Sequence, residues 1–464
     1  MRSAFLSSVI VAALIIWAVQ EHPFFWDTIQ LGSKHAHFFF EHHLKWQPLP
    51  VEIDSGHPPL LGYYLAICWT LWGKSLLVSH WAMLPFLTGI FFFTYRIAQS
   101  LAPGKAALGL LLLLIADPVF GGQAILISPD LMLLFFGLLA LDAIKRNYAW
   151  YLWIAILGLC LVSMRGMMVA AAFWGFVIWN EWTCKSLKIN WIIMRSAAFL
   201  PGFAAATLFL GWHWTYSGWV GHHPGSAWAP AFERVGWSGF ARNLLVLGWR
   251  WLDLGRFLEI GCLLWLVWYL KPAIWRGRHE LDQLARFCVC LLLFLTPSAL
   301  LYQNLSAHRY FLPIFFAVHV FVFYGIQRFR FKKWYLGALV LVLLSGHFWI
   351  YPKGISMDWD STLAHVPYYN LEKTAKNWLE VQGIDFAQVG SAFPNLNSGE
   401  ITALNGDQRQ FVPFDFSKNK YIFVSNIYND FSRADLEYLE KSGQLMQRFA
   451  RQGVWIEVYK LKNE

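Results

Sequence analysis

The chain has 464 residues, 57% hydrophobic and 14% charged, with a mean hydropathy of +0.42. Soluble domains are about 25% charged, so this composition excludes a soluble globular enzyme and indicates a polytopic membrane protein. The net charge of +9 belongs to residues 1–350, with 25 Lys and Arg against 14 Asp and Glu; residues 351–464 hold 12 against 14. The excess therefore speaks for topology and anionic headgroup contact rather than nucleic-acid binding.

The first apolar run, 3–19, continues into Gln20-Glu21-His22-Pro23 without a small-x-small cleavage site and is expected to persist as a helix. Further runs predict membrane helices near 80–98, 106–121, 128–143, 149–163, 166–180, 191–212, 256–270, 284–302, 310–327 and 333–350. Basic clusters lie between several of them: Lys145-Arg146, Lys185 with Lys188, Lys271 with Arg276 and Arg278, and the run from Arg328 to Lys333. The positive-inside rule makes these cytoplasmic.

The stretch DSGHPPLLGYYLAICWTLWG, Asp54–Gly73, decides the threading. If Leu60–Trp72 crossed the bilayer, the basic N-terminus would lie outside and the polar loop before Leu60 inside. If it lies along the interface, the N-terminus is inside and residues 21–79 form one large external loop with juxtamembrane helices. The membrane helices then number about eleven, and the tail from Tyr351 is external. Leu60–Trp72 is short for a span and adequate for an interfacial helix, which favours the second threading.

Residues 213–255 form another external segment, rich in the Trp that favours the headgroup zone. The tail alternates apolar and polar at Tyr421–Asn426 and Val454–Leu461, predicting strands. A helix over Ser432–Leu439 opens on a Ser cap, and an Asn/Gly/Ser-rich internal loop covers 395–400. The expected organisation is a transmembrane catalytic domain, 1–350, and a small external α/β domain, 351–464. The six cysteines read as small core residues, none of them in the tail. No repeat, Walker loop, GxGxxG or HExxH occurs.

Residues able to carry chemistry gather on one membrane side under this threading. They are Glu21, His22 and Asp27 after the first helix; Asp54 and His57 before Pro58-Pro59; Asp130 after Ser128-Pro129; Arg165-Gly166; and His308-Arg309-Tyr310. Singly they read as caps, snorkelling cations or surface histidines. Together they combine carboxylates with fixed cations, which suits a phosphorylated lipid substrate.

The order of these features resembles the GT-C glycosyltransferases, a class that includes protein O-mannosyltransferases, the bacterial lipid A aminoarabinose transferase and other bacterial members of glycosyltransferase family 39. Trp26-Asp27 follows the first helix. His57-Pro58-Pro59-Leu60 precedes the apolar stretch, Pro129-Asp130 opens a later helix, and a basic-Gly pair follows at Arg165-Gly166. Arg309–Pro313, RYFLP, matches a late Arg-Tyr-x-x-Pro. The chain departs from the pattern where Asp27 is followed by Thr28 rather than Glu, and where His57 replaces a Lys found in some bacterial relatives.

The resemblance implies a GT-C fold on the bacterial inner membrane, with the active site and C-terminal domain facing the periplasm. It implies transfer of a sugar from a polyprenyl-phosphate-linked donor, such as an undecaprenyl phosphate sugar, to a lipid, glycan or protein acceptor, with inversion. Asp27 would take the acceptor proton, and Asp130 would share that role or position the sugar. Asp54, His57, Arg165, His308, Arg309 and Tyr310 would bind substrate or the lipid phosphate. No cofactor is required; a divalent metal is open, with no ligands assigned, although His222-His223 draws attention. Two rival classes, a transporter or flippase of a lipid-linked saccharide and a non-catalytic membrane scaffold, predict charges along mid-helix positions or unimportant first-loop acids, respectively.

Overall fold

Proline is tolerated in the first turn of a helix, where its missing N–H is not needed, and several helices of this chain open that way. The computed structural model describes residues 2–184, 189–226, 229–274, 279–303, 306–329, 331–352 and 355–461. Lys185, Lys188, Arg276, Arg278 and Arg330 of the expected basic clusters lie outside the described residues.

Helix α1 (Arg2–Val19) leads into a loop carrying a π-helical turn, Ile29–Lys34, then α2 (His35–Glu41), α3 (Leu60–Trp72) and α4 (Leu76–Trp81). There follow α5 (Leu84–Leu101), α6 (Leu108–Ala116), α7 (Pro118–Ala124), α8 (Pro129–Arg146), α9 (Ala149–Val162) and α10 (Met164–Cys184). The second half of the bundle is α11 (Ile189–Ser196), α12 (Leu200–Ser217), α13 (Trp237–Leu252), α14 (Arg256–Ile274), α15 (His279–Leu301), α16 (Leu312–Arg328) and α17 (Lys333–Ser345). Prolines stand in the first turns of α5, α7, α8, α12 and α16.

Among the described residues, five helical stretches are long and apolar enough to cross a membrane: Arg2–Val19, Leu76–Leu101, Ile193–Ser217, Glu280–Leu301 and His308–Arg328. The chain is a membrane protein. The run expected as one helix at 106–121 is instead broken: α6 and α7 meet at 74°, because Asp117 leaves the helix to cap α7 through Phe120 N–H at 2.9 Å. The segment 213–255 contains a helix, α13, with exposed Trp237 and Leu245 on one side and buried Asn243 and Leu247 on the other.

Helix α3 occupies the residues anticipated for it, 13 in all. At 1.5 Å per residue it is roughly 20 Å long, short of the ~30 Å hydrocarbon core. It rests on α2 at Gly62, where a Cβ would lie 2.3 Å from the His35 Cβ. No larger residue allows that approach.

The C-terminal region adds α18 (Val366–Val381), a short helix α19 (Gly399–Thr402), α20 (Arg433–Ser442) and a five-stranded sheet. The strands are β1 (Val389–Ser391), β2 (Val412–Pro413), β3 (Tyr421–Ser425), β4 (Gly443–Arg451) and β5 (Val454–Leu461), in the order β2-β1-β3-β5-β4. β1 is parallel to β2 and β3, and the other pairs are antiparallel. The expected strands at 421 and 454 are β3 and β5. The expected Ser-capped helix is α20, opened by a Ser432–Asp435 capping box. The core of this region includes Val19, Phe25, Ile125 and Leu126 from the bundle, so the sheet is built against the helices and not merely tethered to them.

Candidate functional site

The chain leaves α1 through a tight turn. Thr28 Oγ1 accepts from Phe25 N–H at 2.9 Å and donates to Phe25 C=O at 2.7 Å. Trp26 is left-handed, with φ of 51°, a conformation that costs a bulky residue energy and persists only when its neighbours hold it. Phe25 stacks on His365 with centroids 4.5 Å apart, and Trp26 meets Phe393 edge-on. The next residue, Asp27, ion-pairs with Arg309.

Asp130 sits in the first turn of α8. Its N–H donates to the Ser128 cap at 3.1 Å. Its carboxylate ion-pairs with Arg165 and stands 3.5 Å from Arg309 Nη1. Arg165 reaches this position because α10 begins almost against α9: a Cβ on Gly166 would lie 2.0 Å from Leu159 C=O. The Arg165 guanidinium lies 3.9 Å from the Tyr310 ring centroid and that of Arg309 5.1 Å away, both within cation–π range. Five of the expected residues, Asp27, Asp130, Arg165, Arg309 and Tyr310, thus form one cluster. Asp27 and Arg165 are its more open ion-paired members, with side chains 20% and 19% exposed.

His57 adjoins this cluster. Its Nδ1 accepts from Met164 N–H at 3.5 Å. Although part of its surface is open, desolvation, with Arg165 beside it, pushes its pKa down to about 4. It is therefore neutral near pH 7, and Nε2 carries the proton as a hydrogen-bond donor. As a phosphate ligand it would act by donation and not as the cation that a Lys at this place would supply.

Two expected residues face elsewhere. Asp54 accepts from Gly56 N–H at 2.8 Å and pairs with His213 Nε2 at 2.9 Å, tying the first loop to α12. His308 turns away from its neighbour Arg309. Its Nδ1 lies 2.8 Å from Asp358 and its Nε2 3.2 Å from Asp253. His22 packs against Tyr369 with the rings tilted, outside the cluster, and Glu21 is exposed. His222 stacks on Phe232, while His223 Nδ1 accepts from Gly225 N–H. Among the described residues no three His, Cys, Asp or Glu side chains are grouped to hold a metal ion.

The cluster also contains a residue that sequence reasoning missed. Asp360 lies 3.2 Å from Arg309 Nε, giving Arg309 a third carboxylate. Burial pushes the Asp360 carboxyl up to about 7 against the pull of Arg309, with Asp27 and Asp358 adding to the rise. Two positions earlier, burial would raise Asp358 as well, but Arg250 and then His308 hold it well below the usual carboxylate range. His308-Arg309 therefore matches Asp358-x-Asp360 side chain for side chain. Gln123 on α7 braces the arrangement: its Nε2 donates to Asp360 C=O at 2.8 Å and its Oε1 accepts from Ser128, the cap before Asp130. The available signal was the pair of acids in MDWDS, a few residues after the last apolar run.

No protein-family model matches the chain, and no curated protein does. Among solved structures it is similar to ArnT from Cupriavidus metallidurans. In the apo state the TM-score is 0.55 at 12% identity, covering 98% of each chain. In the structure bound to undecaprenyl phosphate it is 0.52 at 11%, covering 98% of this chain and 97% of that one. The chain has the GT-C fold, shared with these ArnT structures.

Proposed function

We propose that this protein transfers a sugar from a polyprenyl-phosphate-linked donor to a lipid, glycan or protein acceptor on the periplasmic face of a bacterial inner membrane. The observation that carries the reading is the meeting of Asp27, Asp130, Arg165, Arg309 and Tyr310 at one end of a GT-C bundle. The undecaprenyl phosphate bound to ArnT supports the donor class. The threading has the N-terminus inside, about eleven spans, residues 21–79 and 213–255 outside, and a domain boundary near 350. Lys145, Arg146 and Arg328 at the opposite ends of α8 and α16 support that orientation.

In the reaction, the acceptor oxygen bonds to the anomeric carbon as the bond from that carbon to the phosphate oxygen breaks. The phosphate leaves with the electron pair. Arg165 and Arg309 stabilise its growing charge, and neutral His57 donates a hydrogen bond to it. Asp27, the open carboxylate, accepts the acceptor's proton, while Asp130 orients the sugar and Tyr310 carries the two guanidinium planes. Asp54 and His308 hold the surrounding loops. A single displacement inverts the anomeric centre.

The test is release of free polyprenyl phosphate by purified protein in lipid, offered a panel of polyprenyl-phosphate sugars. Turnover with one donor, reduced by roughly 10²–10⁴-fold in Asp27→Asn with donor binding kept, supports the assignment. Equal activity in the variant removes Asp27 as the base. Absence of both turnover and donor binding would reject the donor class.

A further inference from the structure

The helices that begin at the acid–guanidinium cluster converge again at their far ends. Helix α8 carries Asp130 in its first turn and Lys145 in its last. Helix α10 carries Arg165 at its start and Glu181 near its end. Helix α16 follows Arg309 and finishes at Arg328. From Asp130 to Lys145 is roughly 22 Å along the axis, so these far ends lie near the other face of a bilayer-sized bundle.

There they line an open cavity of about 1040 Å³. One wall is apolar, formed by Leu141, Ile144, Leu152, Phe176 and Phe287. The charged lining is unevenly paired. Glu181 lies 3.3 Å from Arg195, and Glu280 accepts from the Tyr324 hydroxyl at 2.5 Å. Lys145 donates to the Ser100 hydroxyl at 2.7 Å. Among the described residues no carboxylate is in direct ion-pair contact with Lys145 or Arg328, while Glu280 and Asp142 attract Lys145 from farther off. Among the described residues the lining thus holds three cations, Lys145, Arg195 and Arg328, against two acids, Glu181 and Glu280, next to a hydrophobic wall.

We propose that this cavity binds the phosphate headgroup of an anionic phospholipid, with Lys145 and Arg328 on the phosphate and the upper acyl chain against the Leu152–Phe287 wall. Basic pockets between membrane helices recognise such headgroups. The volume far exceeds a lone phosphate, since one water takes about 30 Å³ of liquid, and a free ion would leave the apolar wall uncovered. The inference does not depend on the sugar-transfer reading.

Native mass spectrometry of the full chain, with phosphatidylglycerol or phosphatidylcholine added to the micelle, tests it. Phosphatidylglycerol is expected to be retained preferentially. Lys145→Gln and Arg328→Gln should each lower its retention about fivefold. Lys105→Gln, on the exposed turn before α6 and outside the cavity lining, should not. Ala149→Trp, which fills the cavity with its charges intact, should lower retention too and stands in if a charge variant fails to fold. Equal retention of both lipids, or unchanged retention in the cavity variants, overturns the proposal. So does displacement of phosphatidylglycerol by millimolar inorganic phosphate, which would assign the site to free phosphate.

Discussion

Arg309 is asked to satisfy three carboxylates, Asp27, Asp130 and Asp360, with one guanidinium whose side chain is only 6% exposed. Removing it strands those acids in poor solvent. Arg309→Met is expected to destabilise by about 3–5 kcal/mol, read by denaturant unfolding, and Asp360→Asn in the same chain should recover part of the loss. Asp360 itself sets a pH dependence. Its folded pKa of about 7 lies above the unfolded value of about 3.9. The folded state therefore holds the proton more tightly, and stability falls as pH rises from about 4 through about 7. Wild type should lose stability relative to Asp360→Asn between pH 5 and pH 8; a constant gap in paired unfolding curves would refute this. Five members of the cluster were legible from residue type, order and membrane side. Asp360 was not, because its partner Arg309 lies 51 positions earlier and no local pattern ties an acid in a tail to an arginine in the bundle.

At the scale of the helix, the bend between α6 and α7 depends on a buried ion pair. Arg256, fully buried, bonds Asp117 through Nε at 3.0 Å and Nη2 at 2.8 Å, and its guanidinium lies 4.0 Å from the Phe315 ring centroid. His319 joins at Asp117, 3.4 Å from its Nε2, and holds Glu259 on its other nitrogen at 2.6 Å. Arg256→Met takes the guanidinium from the buried Asp117, leaving His319 as its remaining side-chain partner, and is expected to cost about 3 kcal/mol, whereas pairing it with Asp117→Leu should return much of that. Gln123 lies on the short limb the bend creates. Gln123→Leu keeps the volume and removes the bonds to Asp360 and Ser128, so turnover should fall more than donor binding if the residue positions the acids. An equal loss of both would make its role structural. Sequence periodicity read 106–121 as one run because a lone Asp in apolar surroundings does not announce a cap, and its arginine lies in α14.

At the scale of the molecule, the C-terminal region shares a core with the bundle and reaches its first loop. Phe24 N–H donates to Thr402 C=O at 2.8 Å, Ser33 donates to Ile401 C=O at 2.5 Å, and Glu400 pairs with Lys74 and with His37. A chain ended after residue 350 would expose Phe25, Ile125 and Leu126 and strand His308 and Arg309. It is expected to aggregate on size-exclusion chromatography and to release no polyprenyl phosphate; a monodisperse, active truncation would contradict the shared core. The strands and the capped helix of this region were readable from alternation and capping, which are local signals, whereas its docking is long-range and left no periodic trace. The match of His308-Arg309 with Asp358-x-Asp360 also bears on chimaeras and on descent. A tail borrowed from a relative would have to bring two acids at that spacing, so bundle and tail are bound to be inherited together, and drift in either is checked by the other.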